Sequence, residues 1–262
     1  MAHDRLKLDG QVALITGGGR GIGRGIATVF AEAGAAVVVT ARTPDQLEET
    51  VTRIRNGGGR AISVVGDVVK RVDNERAVAA ALDAFGRIDI LVNNAGGGNF
   101  KPFLELADDD FRLEFEWNAL SAFMLTQIAT PHMLKNGGGC VLSISSAAGR
   151  FGIRGMTPYS VAKAALEQLT RSMAQELSPK IRVNAIALGT IVTEALRHIH
   201  KLDPGLRDRM LAMIPLHREG SVEDIGMAAL YLCSPDCYAT GSILHIDGGI
   251  QRGILAVDIP DL

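Results

Sequence analysis

The chain has 262 residues, 47% of them hydrophobic and 21% charged, which supplies a sizeable core and excludes global disorder. A formal net charge of -2 gives no electrostatic reason to expect nucleic acid or an anionic membrane as partner, so a small molecule is the expected ligand. The start, MAHDRLKLDG, carries charges where a signal peptide needs an apolar run, and no later stretch approaches the roughly 18 apolar residues of a membrane span, so a cytoplasmic protein is expected.

In chain order, the first element is the run VALIT at 12–16, followed by the glycine-rich turn TGGGRGIG and a helical pattern over 22–33. A second strand, AAVVVT at 35–40, leads through Thr43-Pro44, an N-cap followed by proline at the first helical position, into a helix over 44–56. The glycine run 57–59 ends that helix before the strand AISVVGD at 61–67, a helix over 74–85 and the strand IDILVNNAG at 88–96. One long helix is predicted over 109–135, closed by glycines 137–139, then the strand CVLSISS at 140–146 and a helix over 158–177. The strand IRVNAIAL at 181–188 precedes a segment, 190–218, that fits neither period and contains Pro204, Gly205 and Pro215. An insertion there, at the carboxyl side of a sheet, reads as a lid over a ligand. Ser221 caps a helix over 222–232, and ILHIDGG at 243–249 is the last strand.

Strands and helices alternate throughout, so right-handed crossovers build an α/β fold: a doubly wound, seven-stranded parallel sheet flanked by helices. No linker or repeat divides the chain, and one domain over 1–262 is expected. Cys140, Cys233 and Cys237 form no CxxC pair and no ligand cluster with the six histidines; core thiols are expected, with neither a disulfide frame nor a metal.

The strand, glycine turn and helix start at the amino end form the context that gives a glycine pattern meaning as a dinucleotide site. Gly17 turns the chain off the strand, and Gly21 and Gly23 leave room for a pyrophosphate at the helix amino terminus, with Gly19 and Ile22 completing the turn. About twenty residues on, a carboxylate would hold the ribose hydroxyls of NAD, but the chain has Ala41 followed by Arg42. A guanidinium can pair with a 2′-phosphate, so the cofactor expected is NADP rather than NAD, with Arg20 as a second cation. The alternative is that both arginines are solvated surface charges. Asp45, in the first turn of its helix, reads as a residue complementing the helix dipole.

Tyr159 and Lys163 are four apart in PYSVAKAALEQL and share one helix face. An ammonium beside a phenol favours the phenolate, which makes the pair a proton donor or acceptor nearer neutral pH. Thirteen residues earlier, Ser146 ends a strand at the carboxyl edge, where a hydroxyl can hydrogen-bond a substrate carbonyl. Nucleophilic serine chemistry is the competitor, but no GxSxG elbow surrounds Ser146 and no histidine sits at a strand end to serve it.

TGGGRGIG, the NNAG at 93–96, Asn118, Ser146, and Tyr159 with Lys163 together resemble the short-chain dehydrogenase/reductase family, over about residues 8–249. The resemblance implies a seven-stranded Rossmann sheet, assembled as a homotetramer. It implies that Tyr159 is the general acid/base, that Lys163 lowers its pKa and binds the nicotinamide ribose, that Ser146 orients the carbonyl and that Asn118 holds a relay water. It also implies that Asp67 and Val68 flank the adenine, that Asn94, Ala95 and Gly96 line the cofactor cleft, and that Gly189, Ile191 and Thr193 lie at the nicotinamide. Within the family, NNAGGGNFKPF, KNGGG and GTIVTEAL look most similar to bacterial hydroxysteroid dehydrogenases of the 7-alpha type, which commonly use NAD; Ala41-Arg42 departs from that. Leu188-Gly189 departs from the usual Pro-Gly, loosening the entrance to the lid.

The expected activity is reversible hydride transfer between NADP(H) and a secondary alcohol or ketone. One rival is a 3-oxoacyl-thioester (acyl-carrier-protein) reductase, for which Arg150, Arg154 or Arg197 would meet a phosphopantetheine carrier. A rival of another class is a nucleotide-sensing protein without catalysis. The tail 250–262 is expected to be disordered or to cover a subunit interface.

Overall fold

In the computed structural model, residues 6–203 and 205–251 are described; the tail from 252 onward lies outside them. The elements run β1 (Val12–Thr16), α1 (Gly21–Glu32), β2 (Ala36–Ala41), α2 (Pro44–Asn56), β3 (Arg60–Val65), α3 (Arg71–Phe85), β4 (Ile90–Asn93), α4 (Asp108–Phe115), α5 (Ser121–Lys135), β5 (Gly139–Ser146), α6 (Thr157–Leu177), β6 (Ile181–Leu188), α7 (Glu194–Leu202), α8 (Leu206–Ala212), α9 (Val222–Cys233) and β7 (Ile243–Ile246). All seven strands pair in parallel, in the order β3-β2-β1-β4-β5-β6-β7. This is the doubly wound Rossmann arrangement, and the order reverses between β1 and β4, where such sheets open a ligand crevice.

The strands are unbroken apolar runs because both faces are covered. Alternate residues of β1 and β2 point into two layers: Ala13, Ile15, Val37 and Val39 pack with α1, α2 and α9, around Phe30, Leu47 and Ile225. Val12, Leu14, Ala36 and Val38 pack on the other side with α3, α5 and α6, around Val78, Leu125 and Met173. The three cysteines are buried and free, with Cys140 and Cys233 sulfurs 3.8 Å apart.

Several boundaries differ from the sequence expectation, each for a local reason. The strand expected over 88–96 ends at Asn93, because Asn94 turns aside and its Nδ2 donates to the Thr16 carbonyl at 2.8 Å. The one expected over 61–67 ends at Val65, and the Asp67 amide goes instead to the Asp73 carboxylate at 2.9 Å. The expected helix 109–135 is interrupted by a π-helical turn, Glu116–Leu120, centred on Asn118. Thr43 occupies the N-cap of α2 without a side-chain capping bond, so proline at the first position does the work there. Ser221 does cap α9: its Oγ accepts from the Asp224 amide at 3.0 Å, and the Asp224 carboxylate accepts from the Ser221 amide at 2.8 Å. The expected lid segment contains α7 and α8.

One buried carboxylate ties the two strands beside the crevice. Asp89, at the foot of β4, accepts the Val12 amide at 2.9 Å and is gripped by the Arg87 guanidinium at 2.7 and 2.9 Å. Truncating it would leave a buried amide without a partner. Asp89→Ala is expected to cost about 2 kcal/mol, read as a fall in Tm of roughly 4 °C on thermal denaturation.

Candidate active site

A cleft of about 370 Å³ opens along the carboxyl ends of β1, β2 and β4 and runs to the amino end of α6. Its floor is the glycine turn. Gly17 sits at φ +63°, and a Cβ at Gly23 would overlap the Gly17 carbonyl, so the turn can only be this tight without side chains. Arg20, at the N-cap of α1, makes no side-chain capping bond, so no side chain competes for the first-turn N–H groups. Tight backbone, free amides and the positive end of a helix dipole fit a pyrophosphate. Gly19, Gly21 and Ile22 line the same stretch, and Asp67, Val68, Asn94, Ala95 and Gly96 line the walls.

Arg20 and Arg42 stand exposed at the rim. The Arg42 guanidinium lies 5.6 Å from the ring centroid of Trp117, within cation–π range. Trp117 in turn presses on Gly97, where a Cβ would come 2.7 Å from the ring. Asp45 does not line the cleft. Thr193 reaches it from the start of the lid, with Leu188 beneath. Gly189 and Ile191 do not line it: the Gly189 amide donates to Ile246 at 3.0 Å, and the Ile191 side chain packs into the core.

At the other end, α6 brings Tyr159 and Lys163 one turn apart. Proline at the helix start sets the entry, and burial of Ala162 and Leu166 fixes which face turns inward. Lys163 is only 3% exposed; its Nζ donates to the Ile144 carbonyl of β5 at 2.9 Å and lies 5.6 Å from the Tyr159 ring centroid. Burial pushes its pKa down to about 8, against the opposing charge of Glu167. Glu167 is anchored by the Ser145 hydroxyl at 2.9 Å. The phenol of Tyr159 is pushed up by burial, drawn down by a hydrogen bond with Ser146, and pushed up again by the charge of Glu114. Lys163 was expected to draw the phenol downward. In this arrangement one of its N–H groups goes to the Ile144 carbonyl, and the lowering contact at the phenol is the Ser146 hydrogen bond. Ser146 also accepts the Ala148 amide at 3.2 Å, which aims its hydroxyl off the strand end.

Asn118 is 1% exposed and fully engaged. Its Nδ2 donates to the carbonyls of Gly97 at 2.8 Å and Glu114 at 2.9 Å, and its Oδ1 accepts the Gly97 amide at 3.0 Å. It therefore grips the loop after β4 across the cleft. Trp117, Ser145 and Glu114 are participants that sequence reasoning did not single out; the first two sit beside residues that it did. The arrangement juxtaposes a proton-bearing phenol, a hydroxyl and a buried ammonium at one end of a nucleotide-sized cleft. Among the described residues no group of three His, Cys, Asp or Glu could hold a metal ion.

The chain is similar to known oxidoreductases over most of its length. The family model described as Enoyl-(Acyl carrier protein) reductase matches residues 17–251. An oxidoreductase of Mycobacterium tuberculosis, its activity uncharacterised, is 43% identical over 100% of both chains. The 7alpha-hydroxysteroid dehydrogenase of Escherichia coli K12 is 44% identical over 94% of this chain and 96% of its own. A solved 7 alpha-hydroxysteroid dehydrogenase complexed with NADH and 7-oxo glycochenodeoxycholic acid superimposes with a TM-score of 0.92 at 42% identity, covering 96% of this chain and 98% of that one.

The packing around Gly96 gives a direct check on the site. A Cβ there would come 2.5 Å from Asn118 Oδ1 and 3.1 Å from Lys163 Nζ. Gly96→Ala is expected to abolish nucleotide binding measured by calorimetry while the chain still unfolds cooperatively on heating.

Proposed function

The chain belongs to the short-chain dehydrogenase/reductases, nicotinamide-dependent oxidoreductases that act on hydroxyl and keto groups, and on that premise we propose that it moves hydride reversibly between NADP(H) and a secondary alcohol or its ketone, of hydroxysteroid type. The observation that carries the reading is the pair Tyr159 and Lys163 at the end of a cleft whose far end is the glycine turn flanked by Arg20 and Arg42, with Ser146 hydrogen-bonded to the phenol from just outside the cleft lining.

The nicotinamide, when bound, supplies or accepts the hydride. In the reducing direction the Ser146 hydroxyl orients the substrate carbonyl, and the Tyr159 phenol gives its proton to the oxygen as negative charge develops there. In the oxidising direction the phenolate takes the alcohol proton. Lys163 and Asn118 complete the set: the ammonium favours the phenolate and holds ribose hydroxyls, and Asn118 keeps the loop after β4 in register and holds a relay water. Gly17, Gly19, Gly21, Ile22 and Gly23 seat the pyrophosphate; Asp67 and Val68 flank the adenine; Asn94, Ala95 and Gly96 form the wall, with Thr193 toward the nicotinamide and Gly189 and Ile191 behind it, supporting the start of the lid.

One relative is complexed with NADH, whereas the end of β2 here favours the phosphorylated cofactor. Ala41 contributes no carboxylate to hold ribose hydroxyls or repel a 2′-phosphate, and Arg42 offers a paired donor beside it. The reading includes one catalytic domain, assembled as a homotetramer. Exposed apolar side chains on α4, α5 and α6 (Leu113, Phe123, Val161) and on α9 (Met227, Tyr231) support two self-complementary faces, as a tetramer with two-fold axes requires. Free buried thiols suit a cytoplasmic location. Among the described residues no helix is long and apolar enough to cross a membrane.

Three measurements test the reading. A panel of secondary alcohols, ketones and an acetoacetyl thioester, run with NADPH/NADP and NADH/NAD in parallel, is expected to show turnover of hydroxysteroids and a preference for the phosphorylated cofactor. Arg42→Ala should raise KM for NADPH by roughly 10-fold or more, with little change for NADH; a wild-type preference for NADH overturns the cofactor assignment. Tyr159→Phe should lower kcat by about 100-fold or more and leave NADPH binding intact; near-normal turnover would remove the phenol from the mechanism.

A further inference from the structure

Glu114 is a buried acid for which the reaction above has no use. It lies on α4, four residues before Asn118, and is 5% exposed. Its Oε1 accepts the Asn99 amide at 2.8 Å, and its Oε2 is buried with no hydrogen-bond partner among the described residues. A carboxylate with one oxygen unpaired away from water is costly. Burial pushes its carboxyl up toward the neutral form, Asp110 adds to that, and the Asn99 amide opposes it.

Two links from Glu114 converge on the loop after β4. Its side chain holds Asn99, and its backbone carbonyl holds the Asn118 amide group that grips Gly97. Between those points, Gly98 lies against the Tyr159 ring so closely that a Cβ there would come 2.7 Å from Cγ. The segment from Gly97 to Asn99 is therefore laid on the aromatic face of Tyr159 and pinned at both ends.

We propose that Glu114 is a positioning residue for Tyr159: its side chain and backbone carbonyl clamp the glycine segment packed on the ring, and so bring a buried acid to bear on the proton of the phenol. The proposal rests on Tyr159 being the proton-transferring group of the proposed function. The groups facing the phenol are few. From α6 comes the Lys163 ammonium, from β5 the Ser146 hydroxyl, and from α4 Glu114. Behind Glu114 stands Asp110, paired with Lys101 at 2.6 Å, and behind Lys163 stands Glu167. Ser146 favours the phenolate through its hydrogen bond, and Glu114 works against it. The sign follows: ionised Glu114 holds the phenol protonated to higher pH, and removing its charge lets the proton leave at lower pH.

The chain has three tyrosines, so the tyrosinate absorbance of wild type minus that of Tyr159→Phe isolates Tyr159 without any turnover. Glu114→Gln keeps an oxygen for the Asn99 amide and removes the charge. It is expected to move that titration down by roughly one pH unit, and the acidic limb of the alcohol-oxidation profile with it. Glu114→Asp keeps the charge and, one methylene shorter, slackens the clamp; it should leave the titration in place and raise KM for the alcohol. Coincident Tyr159 titrations in wild type and Glu114→Gln overturn the proposal, as does a Glu114→Asp titration shifted downward, the readout that remains if Glu114→Gln fails to fold. A shifted titration in a protein that turns over no secondary alcohol sustains the electrostatic link and overturns the proposed function instead.

Discussion

Lys163 carries its ammonium to a place almost without solvent, where the carbonyl of Ile144 in β5 is its hydrogen-bond acceptor. A charge so placed tolerates little displacement, because moving α6 along β5 would strand it in an apolar core. The Ser145–Glu167 hydrogen bond fixes the same helix one turn further on and sets a counter-charge near the ammonium. Gly96 must lack a side chain for the ammonium and Asn118 to approach it as closely as they do. Tyr159 then has no freedom of its own: it stands one turn before a lysine that cannot move.

The cleft built on that constraint has two ends of different physics. At the rim, Arg20 and Arg42 are exposed, so their attraction for an anion is long-ranged and falls with salt. At the other end, Lys163 and Glu114 are dry, so the field of a charge placed there is little screened. In the proposed reaction capture and chemistry thus fall to different charges. Asn118 connects them mechanically, since the loop it grips forms the wall of the nucleotide cleft and the cover of the phenol.

Much of this was legible in the residues. Runs such as VALIT and IRVNAIAL read as strands buried on both faces, and the glycine turn and the Tyr159–Lys163 pair fall at the two ends of one cleft. What escaped depends on contacts that no periodicity encodes. The helical pattern over 109–135 continues smoothly through Asn118, although the backbone there takes an extra residue per turn to aim the amide at Gly97. Asn94 reads as the continuation of a strand, yet its side chain replaces the ladder by bonding to Thr16. Glu114 resembles any acid on an amphipathic helix until the loop after β4 folds over it. Ile191 sits two residues from Thr193, but its side chain belongs to the core and not to the cleft.

The stack of Arg42 on Trp117 has one more consequence. The chain contains a single tryptophan, and it forms a wall of the nucleotide cleft. Its intrinsic fluorescence therefore arises from this one place, free of background from any other indole. A guanidinium drawn off the ring, or an aromatic base laid beside it, would alter that emission directly. The fold thus carries a built-in optical gauge of the cleft.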